Sequence, residues 1–261
     1  IATASGALGA AIGVVTNIIT TDHSTGVVVT GTSTDKSSLT GTSVSVDADA
    51  KEGISSLLIA ASGAQYAAVS ASVNVNRQLS DVSAAVDQTE VLGSFAQNAN
   101  YLGRITTSAI TAAGSQYAAV PISVVINYAD NAVSSSVAHS ILRAEGQSAS
   151  VGANRISEFS SLNVTASGAM YGAAAGLVNV NTIEGATSAE VNDSEVKAGQ
   201  FSVNAENEDH LKVTDVTATG AIGSLGASVV VSYFKGSSAA NLRNSIVTAD
   251  KLTVSSLQDH Y

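Results

Sequence analysis

The sequence predicts an all-β protein built as a β-solenoid, and three observations lead to this fold class. A phrase that begins Ala-x-Gly recurs five times along the 261 residues. Within each copy, short runs alternate apolar and polar residues with a period of two, which is typical of β-strands. Helix signals are weak, because the Ala- and Gly-rich stretches lack caps and an apolar stripe of helical spacing. We therefore predict repeats that stack on one another as a right-handed parallel β-helix.

The recurring phrase sets the length of the repeat. Its glycines are 57, 51, 54 and 52 residues apart, and a near-constant period indicates units that bury their apolar faces against their neighbours. We predict five repeats of about 52 residues that form one solenoid segment over residues 1–261, and we interpret the chain as part of a longer repeat protein. The five tripeptides are Ala4-Ser5-Gly6, Ala61-Ser62-Gly63, Ala112-Ala113-Gly114, Ala166-Ser167-Gly168 and Ala218-Thr219-Gly220.

Two alternating runs in each repeat predict strands whose apolar residues face the core. With the glycine of each copy as zero, the first run has apolar residues at positions −4 and −2, such as Ile59 and Ala61. The second has them at +10 and +12, such as Val73 and Val75. Position +7, between the runs, is Pro121 in the third copy, and we expect a corner there because proline cannot donate to a β-ladder. Its equivalents are Gly13, Ser70, Ala175 and Ala227.

The number of strands predicts how the chain winds. Four or more short strands per repeat, without Asn-Gly hairpin signals, fit two coils of roughly 26 residues. Ten coils spaced by about 4.8 Å would make a rod on the order of 50 Å long. Three coils of about 17 residues, in a triangular left-handed helix, are the alternative. That alternative requires a strict hexapeptide period, which the sequence lacks, so we favour the right-handed helix.

Composition excludes several kinds of partner and site. Eleven Lys and Arg stand against 21 Asp and Glu, giving a net charge of −10. Because no cluster of cations is present, we expect neither nucleic acid nor an anionic membrane as a partner. No stretch reaches the roughly 18 apolar residues of a transmembrane helix, so no membrane insertion is predicted. The chain has no cysteine, which excludes disulfides and thiolate chemistry.

The repeat resembles those of very large secreted bacterial adhesins. The resemblance is carried by Ala61–Ala68 leading to Ser72–Asn76, and by Ala166–Ala173 leading to Val178–Asn181. These phrases are similar to repeats of the leukotoxin-type and filamentous-haemagglutinin-like proteins that type V pathways export. The resemblance covers essentially the whole chain. It implies an extended β-helical shaft, secreted or on the cell surface and used for attachment, and it offers no catalytic motif.

Tyrosines are the candidate binding residues. Tyr66, Tyr117 and Tyr171 share position +3, an odd offset that turns outward if the even offsets face the core. A column of rings on a rod could bind glycans by stacking, since aromatic rings give large contact areas. The alternative is that the rings cap the edge of the core.

We expect the other polar candidates to have structural roles. Asn76, Asn127 and Asn181 share position +13, and we expect them at coil corners, where Asn tolerates unusual backbone angles. We expect His23, His139, His210 and His260 to lie in surface turns, with His210 and His260 in equivalent turns roughly 10 Å apart. We expect the acidic run Glu206, Glu208 and Asp209, with Asp215 and Lys212 nearby, to be a solvated loop.

Three functional hypotheses follow, of which the first is preferred. The first is a non-enzymatic shaft of a secreted or surface-exposed adhesin, with no catalytic residue, cofactor or metal, whose partners are surface glycans or proteins. The second is a β-helix polysaccharide-degrading enzyme, which would need a groove of carboxylates with Lys or Arg. The third is a self-assembling extracellular fibre or surface-layer component, in which copies of the chain associate through open ends.

Overall fold

The computed structural model describes residues 1–261 and contains eleven β-strands and no helix. The fold class is therefore all-β, as predicted. The strands are β1 (Ala2–Ala7), β2 (Ala10–Thr30), β3 (Ser37–Ala64), β4 (Ala67–Asp87), β5 (Thr89–Ser115), β6 (Ala118–Ala138), β7 (Ile141–Gly168), β8 (Gly172–Asn192), β9 (Glu195–Gly220), β10 (Gly223–Arg243) and β11 (Ile246–His260).

The strands form two parallel sheets between which the chain alternates. Odd-numbered strands make one sheet, in the order β1-β3-β5-β7-β9-β11, and even-numbered strands make the other, in the order β10-β8-β6-β4-β2. Every pairing is parallel, and each strand lies beside the strand two positions along the chain. This is the connectivity of a β-solenoid whose coil consists of two long strands.

One repeat is one coil, which corrects the prediction of two coils. The glycines of the five tripeptides pair directly from strand to strand, through Gly6, Gly63, Gly114, Gly168 and Gly220. The predicted set of four or more short strands is replaced by two strands, one of 21 residues and one of 26–28 in each complete coil. The prediction of a rod of ten small coils is therefore wrong. The solenoid has fewer coils, and each coil contains about twice as many residues as predicted.

The coils turn at two edges, neither of which is at position +7. At the first edge, named the tyrosine edge, the turns lie between β1 and β2, β3 and β4, β5 and β6, β7 and β8, and β9 and β10. Pro121 lies inside β6, paired with Ser70 of β4, so the predicted corner is wrong. Pro121 breaks the ladder only locally, since the pairing of β6 with β8 resumes at Ile122.

The opposite edge, named the distal edge, is built from a repeated short turn. Gln88, His139, Asp193 and Asn244 each have a positive φ near 48°. The next residue is a serine or threonine. In the three turns with serine, its hydroxyl accepts from a backbone N–H of the coil before it, as Ser140 does from Thr89 at 3.1 Å. The same hydroxyl donates to the carbonyl two residues earlier, here Ala138, at 2.6 Å. These ladders tie successive turns together without glycine.

The half of the solenoid beside the distal edge, named the distal half, has an apolar core. Its largest cluster joins 23 buried residues from both sheets, including Val91, Leu142 and Phe201. The outward positions there are polar, as in Ser134 and Ser136 of β6. This is the ordinary polarity of a sheet with one buried face.

The half beside the tyrosine edge, named the tyrosine half, has the reverse polarity. Its inward positions are mostly Ser, Thr and Asn, and many are fully buried, as Thr111 and Asn127 are. The valines and isoleucines of the alternating runs point outward, so that Ile110 is 39% and Val178 is 37% exposed. The prediction that positions −4, −2, +10 and +12 face the core is therefore wrong by one residue of register.

The reversed polarity leaves a broad apolar surface on the even-numbered sheet. Four outward columns run across β2, β4, β6, β8 and β10, and all but two of their twenty positions are Ala, Val, Leu or Ile. We call this surface the valine face. Its columns are Ile12, Val69, Val120, Ala174 and Leu225; Val14, Ala71, Ile122, Gly176 and Ala227; Thr16, Val73, Val124, Val178 and Val229; and Ile18, Val75, Ile126, Val180 and Val231.

Candidate binding surface

The three tyrosines predicted to bind glycan form a continuous column at the tyrosine edge. Each lies in a turn just before an even-numbered strand, and backbone bonds hold neighbouring turns in step, as from Ala118 N–H to the Tyr66 carbonyl at 3.1 Å. The ring centroids of Tyr66 and Tyr117 are 5.4 Å apart with 13° between the planes, and those of Tyr117 and Tyr171 are also 5.4 Å apart, with 16°. About half of each side chain is exposed, so the column lies outward.

Stacking of the rings on one another limits how a ligand can approach. An offset stack at this spacing is a favoured arrangement of aromatic pairs, but it covers both faces of Tyr117 with neighbouring rings. A sugar therefore cannot stack on that central ring. What the column presents is a strip of ring edges and phenol hydroxyls, which are suited to hydrogen bonds and edge contacts with a ligand lying along the strip.

Apolar side chains extend the column at the same edge. Met170 is 53% exposed and Leu8 and Ile222 are each 85% exposed. Ile222 belongs to the turn that follows that of Tyr171, since the next residue, Gly223, donates to the Tyr171 carbonyl at 3.0 Å. The tyrosine edge is therefore an amphipathic strip, with phenol hydroxyls in its centre and aliphatic groups around them.

The asparagines predicted at coil corners are instead buried in the middle of strands. Asn76 donates to Asn127 at 2.9 Å, and Asn127 donates to Asn181 at 2.8 Å. Thr107 of the opposite sheet adds a bond to Asn127 at 2.9 Å. Direct contact between the side chains is possible because the copies lie in adjacent coils, so this ladder is a structural element of the polar core.

Only one of the four histidines lies in a turn. His139 is at the distal edge, where its Nδ1 lies 2.9 Å from Asp87 Oδ1. His23, His210 and His260 lie in strands, so the prediction of surface turns is wrong for them. The predicted equivalence of His210 and His260 is wrong by one residue, because His260 pairs with Asp209.

The acidic run is a strand rather than a loop, so its side chains alternate between the faces of β9. Glu206 and Glu208 point outward, whereas Asp209 is fully buried. Asp215 lies among the core amides and accepts bonds from Asn163 at 2.7 Å and Asn179 at 3.2 Å. The run therefore does not form the cluster of acids that a polysaccharide lyase site would need.

Asp209 belongs to a buried ion pair that was missed at the sequence level. Arg155 Nη2 lies 3.0 Å from Asp209 Oδ1, and both side chains have no exposed surface. The Arg155 guanidinium also donates to the Glu184 carbonyl at 3.0 Å, and His260 Nδ1 lies 3.2 Å from the second oxygen of Asp209. Strand alternation gave a signal, because Arg155 is in phase with the inward residues Val151 and Ala153.

Burial dominates the electrostatics around this pair. Desolvation lowers the pKa of Arg155, opposed by the charge of Asp209, and desolvation raises the pKa of Asp209, opposed by the charge of Arg155. Desolvation also raises the pKa of the neighbouring Tyr101 far above its ordinary value, with Glu52 adding to the rise. We interpret this salt bridge as structural, since neither charged side chain reaches solvent.

The largest surface hollow, of about 520 Å³, lies on the outer face of the odd-numbered sheet. Its single carboxylate, Glu158, accepts from Arg104 Nε at 2.6 Å. The rest of its polar lining is Thr106, Ser160, His210, Lys212 and Tyr261. The rings of His210 and Tyr261 stack with their centroids 5.0 Å apart. One carboxylate already neutralised by an arginine differs from the carboxylate-lined groove that the enzyme hypothesis requires.

Nowhere do three or more His, Cys, Asp or Glu side chains come together in a way that could hold a metal ion. The structure also has no helix with the length and hydropathy needed to cross a bilayer.

Comparisons with known proteins give no assignment. No family model matches the chain, and neither the curated proteins nor the solved structures include a significant match.

Proposed function

We propose that this chain is a non-enzymatic shaft segment of a secreted or cell-surface bacterial adhesin. The observation that carries the proposal is the exposed tyrosine column on a scaffold of parallel coils with paired backbones. The resemblance to leukotoxin-type and filamentous-haemagglutinin-like repeats supports the same role. The scaffold acts by geometry, because it holds a binding strip in a fixed position rather than performing chemistry.

The rigidity that such a shaft needs comes from the backbone. Of 196 backbone–backbone hydrogen bonds, 175 lie within the strand ladders. These bonds join successive coils along the solenoid axis, so that force applied to one coil is shared with the next. We propose that the winding is right-handed, since crossovers between parallel strands of one sheet are right-handed in nearly all proteins.

The proposed ligand of the tyrosine edge is a glycan that lies along the column. Rings 5.4 Å apart place three phenol hydroxyls in a row, and a polysaccharide offers a matching row of hydroxyl groups. The surrounding Leu8, Met170 and Ile222 can contact the apolar faces of sugar rings. Binding of this kind uses ring edges and hydroxyls, in place of the stacking expected from the sequence.

A glycan-binding assay tests this proposal. The wild-type chain and a Tyr66→Ala/Tyr117→Ala/Tyr171→Ala variant would be compared on a glycan array, and any hit would be measured by calorimetry. Tyr233→Ala is the matched control, because this tyrosine is 61% exposed but lies outside the column. We expect the triple variant to lose at least tenfold in affinity while the control does not change. Absence of any glycan ligand for the wild-type chain, or equal binding by the triple variant, would refute the proposal.

A second candidate function, self-assembly into a fibre, is favoured by the sheet edges. The outermost strands of the even-numbered sheet, β2 and β10, each pair on one side only. An unpaired parallel edge accepts a further strand, either from additional coils or from another copy. Electron microscopy of the purified chain separates the two functions, because edge pairing predicts filaments and a shaft segment predicts separate particles.

A further inference from the structure

We propose that the valine face is an interface through which two copies of this chain pack sheet against sheet. This surface is distinct from the strand edges and from the tyrosine column, and the inference does not depend on the adhesive role. It starts from the reversed polarity of the tyrosine half, which leaves aliphatic side chains facing water.

The exposure of this face is too extensive for scattered surface residues. Ile12 and Ile18 are each 69% exposed, and Val229 is 51% exposed. Single apolar residues on a surface need no explanation, but a contiguous apolar patch of several hundred Å² marks an interaction site. No position of the valine face carries a charge, although the chain has a net charge of −10. Two copies can therefore approach here without like charges meeting in the contact.

The area is sufficient for a stable dimer. Each outward residue covers about 32 Å² of a sheet, given strands about 4.8 Å apart and a side chain about every 6.6 Å on one face. Twenty positions then give about 640 Å² per copy, or about 1,300 Å² in total. Specific interfaces bury more than about 1,000 Å², so the valine face exceeds this threshold without any contribution from its rim.

The charges at the rim are compatible with a second copy as the partner, and they indicate how the two copies are oriented. The second column beyond the valine face consists of Asp22, Leu79, Asp130, Glu184 and Lys235. Within one chain, Lys235 Nζ also lies 3.9 Å from Glu184 Oε1. A two-fold axis parallel to the strands and centred on β6 reverses the strand order. Asp22 of each copy then faces Lys235 of the other, and Glu184 of each copy faces the uncharged Leu79. Asp130 faces its own equivalent on the axis, at the solvent-exposed rim where repulsion is screened.

The shapes are compatible with this packing. Val, Ile and Ala are short and stiff, and the inner faces of two stacked sheets interdigitate at a separation of about 10 Å. A symmetric pair of this kind closes on itself, which limits the assembly to a dimer.

Molar mass in solution tests the proposal. The chain has a mass of 26.0 kDa, and we expect sedimentation at micromolar concentration to give twice that value. Val124→Arg, in the centre of the face, should give the monomer mass. Ser134→Arg is the matched control, because it places the same charge outward on the same strand, and it should leave the dimer intact. Circular dichroism establishes that each variant is folded.

A charge exchange tests the orientation without altering the apolar surface. Lys235→Asp should weaken the dimer at least tenfold, and the double variant Asp22→Lys/Lys235→Asp should restore it. A monomeric wild-type chain, a Val124→Arg variant that remains dimeric, or binding of the face to neutral phosphatidylcholine vesicles in place of a second copy would overturn the proposal. So would failure of the double variant to restore dimerisation.

Discussion

The distal half and the tyrosine half share one backbone arrangement but have opposite side-chain polarity. In the distal half, Val91 and Leu142 fill the space between the sheets. In the tyrosine half, the same space holds the ladder of Asn76, Asn127 and Asn181. The comparison shows that stacked parallel coils need continuous ladders inside, and that either aliphatic columns or amide columns can supply them.

The two interiors should differ in stability. Burying a large apolar side chain contributes about 1.5–3 kcal/mol, whereas a buried neutral hydrogen bond contributes only about 0.5–1.5 kcal/mol net. We therefore expect the distal half to contribute more of the folding free energy than the tyrosine half. We expect the tyrosine half to gain less from its interior, and its apolar residues lie exposed on its outer face.

The largest effect is expected from opening a cavity in the distal core. Phe201 is 1% exposed, and Phe201→Ala should lower the free energy of unfolding by about 3–5 kcal/mol. Leu162→Ala removes a comparable side chain that points outward in the tyrosine half and is 44% exposed. This control should cost less than about 1 kcal/mol. Urea unfolding curves for both variants test the comparison, and equal losses would show that the halves do not differ as described.

The buried ion pair gives the next largest effect. Arg155→Met leaves the Asp209 carboxylate buried without its cation, and we expect a loss of about 3 kcal/mol. Arg155→Met/Asp209→Leu removes both charges and should recover most of this loss, because uncharged side chains need no charge partner. Thermal unfolding of the single and double variants gives the coupling. A double variant that is less stable than the single one would contradict this account of the pair.

A smaller effect is expected from breaking the amide ladder. Asn127→Ala removes an acceptor used by Asn76 and a donor used by Asn181, so it should cost about 2 kcal/mol. The loss should be local, and hydrogen exchange should show faster opening in β4 and β8 near these residues than in the distal half. Uniform acceleration along both strands would instead indicate a single cooperative core.

The smallest effect at neutral pH is expected at Tyr101, where the pKa of the phenol is raised by burial and by Glu52. Above pH 10 the unfolded chain loses this proton while the folded chain keeps it. Stability should therefore fall with rising pH, by up to about 1.4 kcal/mol per pH unit from this group. Tyr101→Phe should reduce this slope and change little at pH 7. Unfolding measured from pH 7 to pH 11 tests this, and an unchanged slope in Tyr101→Phe would contradict it.

The sequence was sufficient to predict the repeat and the strands, because period and alternation are local signals. It did not predict the size of the coil. The repeat length does not determine how many coils one repeat makes. Only the pairing of Gly63 with Gly114 shows that a repeat closes one coil. The +7 corner failed for a related reason, since one proline is accommodated inside β6 where the ladder is locally interrupted.

The direction of the side chains could not be predicted because alternation has two phases. A run such as Ser72-Val73-Asn74-Val75-Asn76 fits valine inside or asparagine inside equally well. Hydrophobicity favours valine inside, and that prediction is wrong because the amides bond to one another across adjacent coils. The sequence correctly predicted that the tyrosines form a column. It did not predict that the rings cover one another's faces, because this depends on their spacing of 5.4 Å. Its role in binding glycans stays a prediction.

Cysteine labelling tests the reversed polarity most directly, because the chain contains no cysteine of its own. Ile110→Cys and Thr111→Cys are neighbours on β5 in the tyrosine half, and Val91→Cys on the same strand reports on the distal half. We predict that a maleimide reacts rapidly with Cys at position 110 in the folded protein, and slowly at positions 111 and 91 until urea is added. Rapid labelling at 111 with protection at 110 would contradict the polar core and the reversed polarity of the tyrosine half.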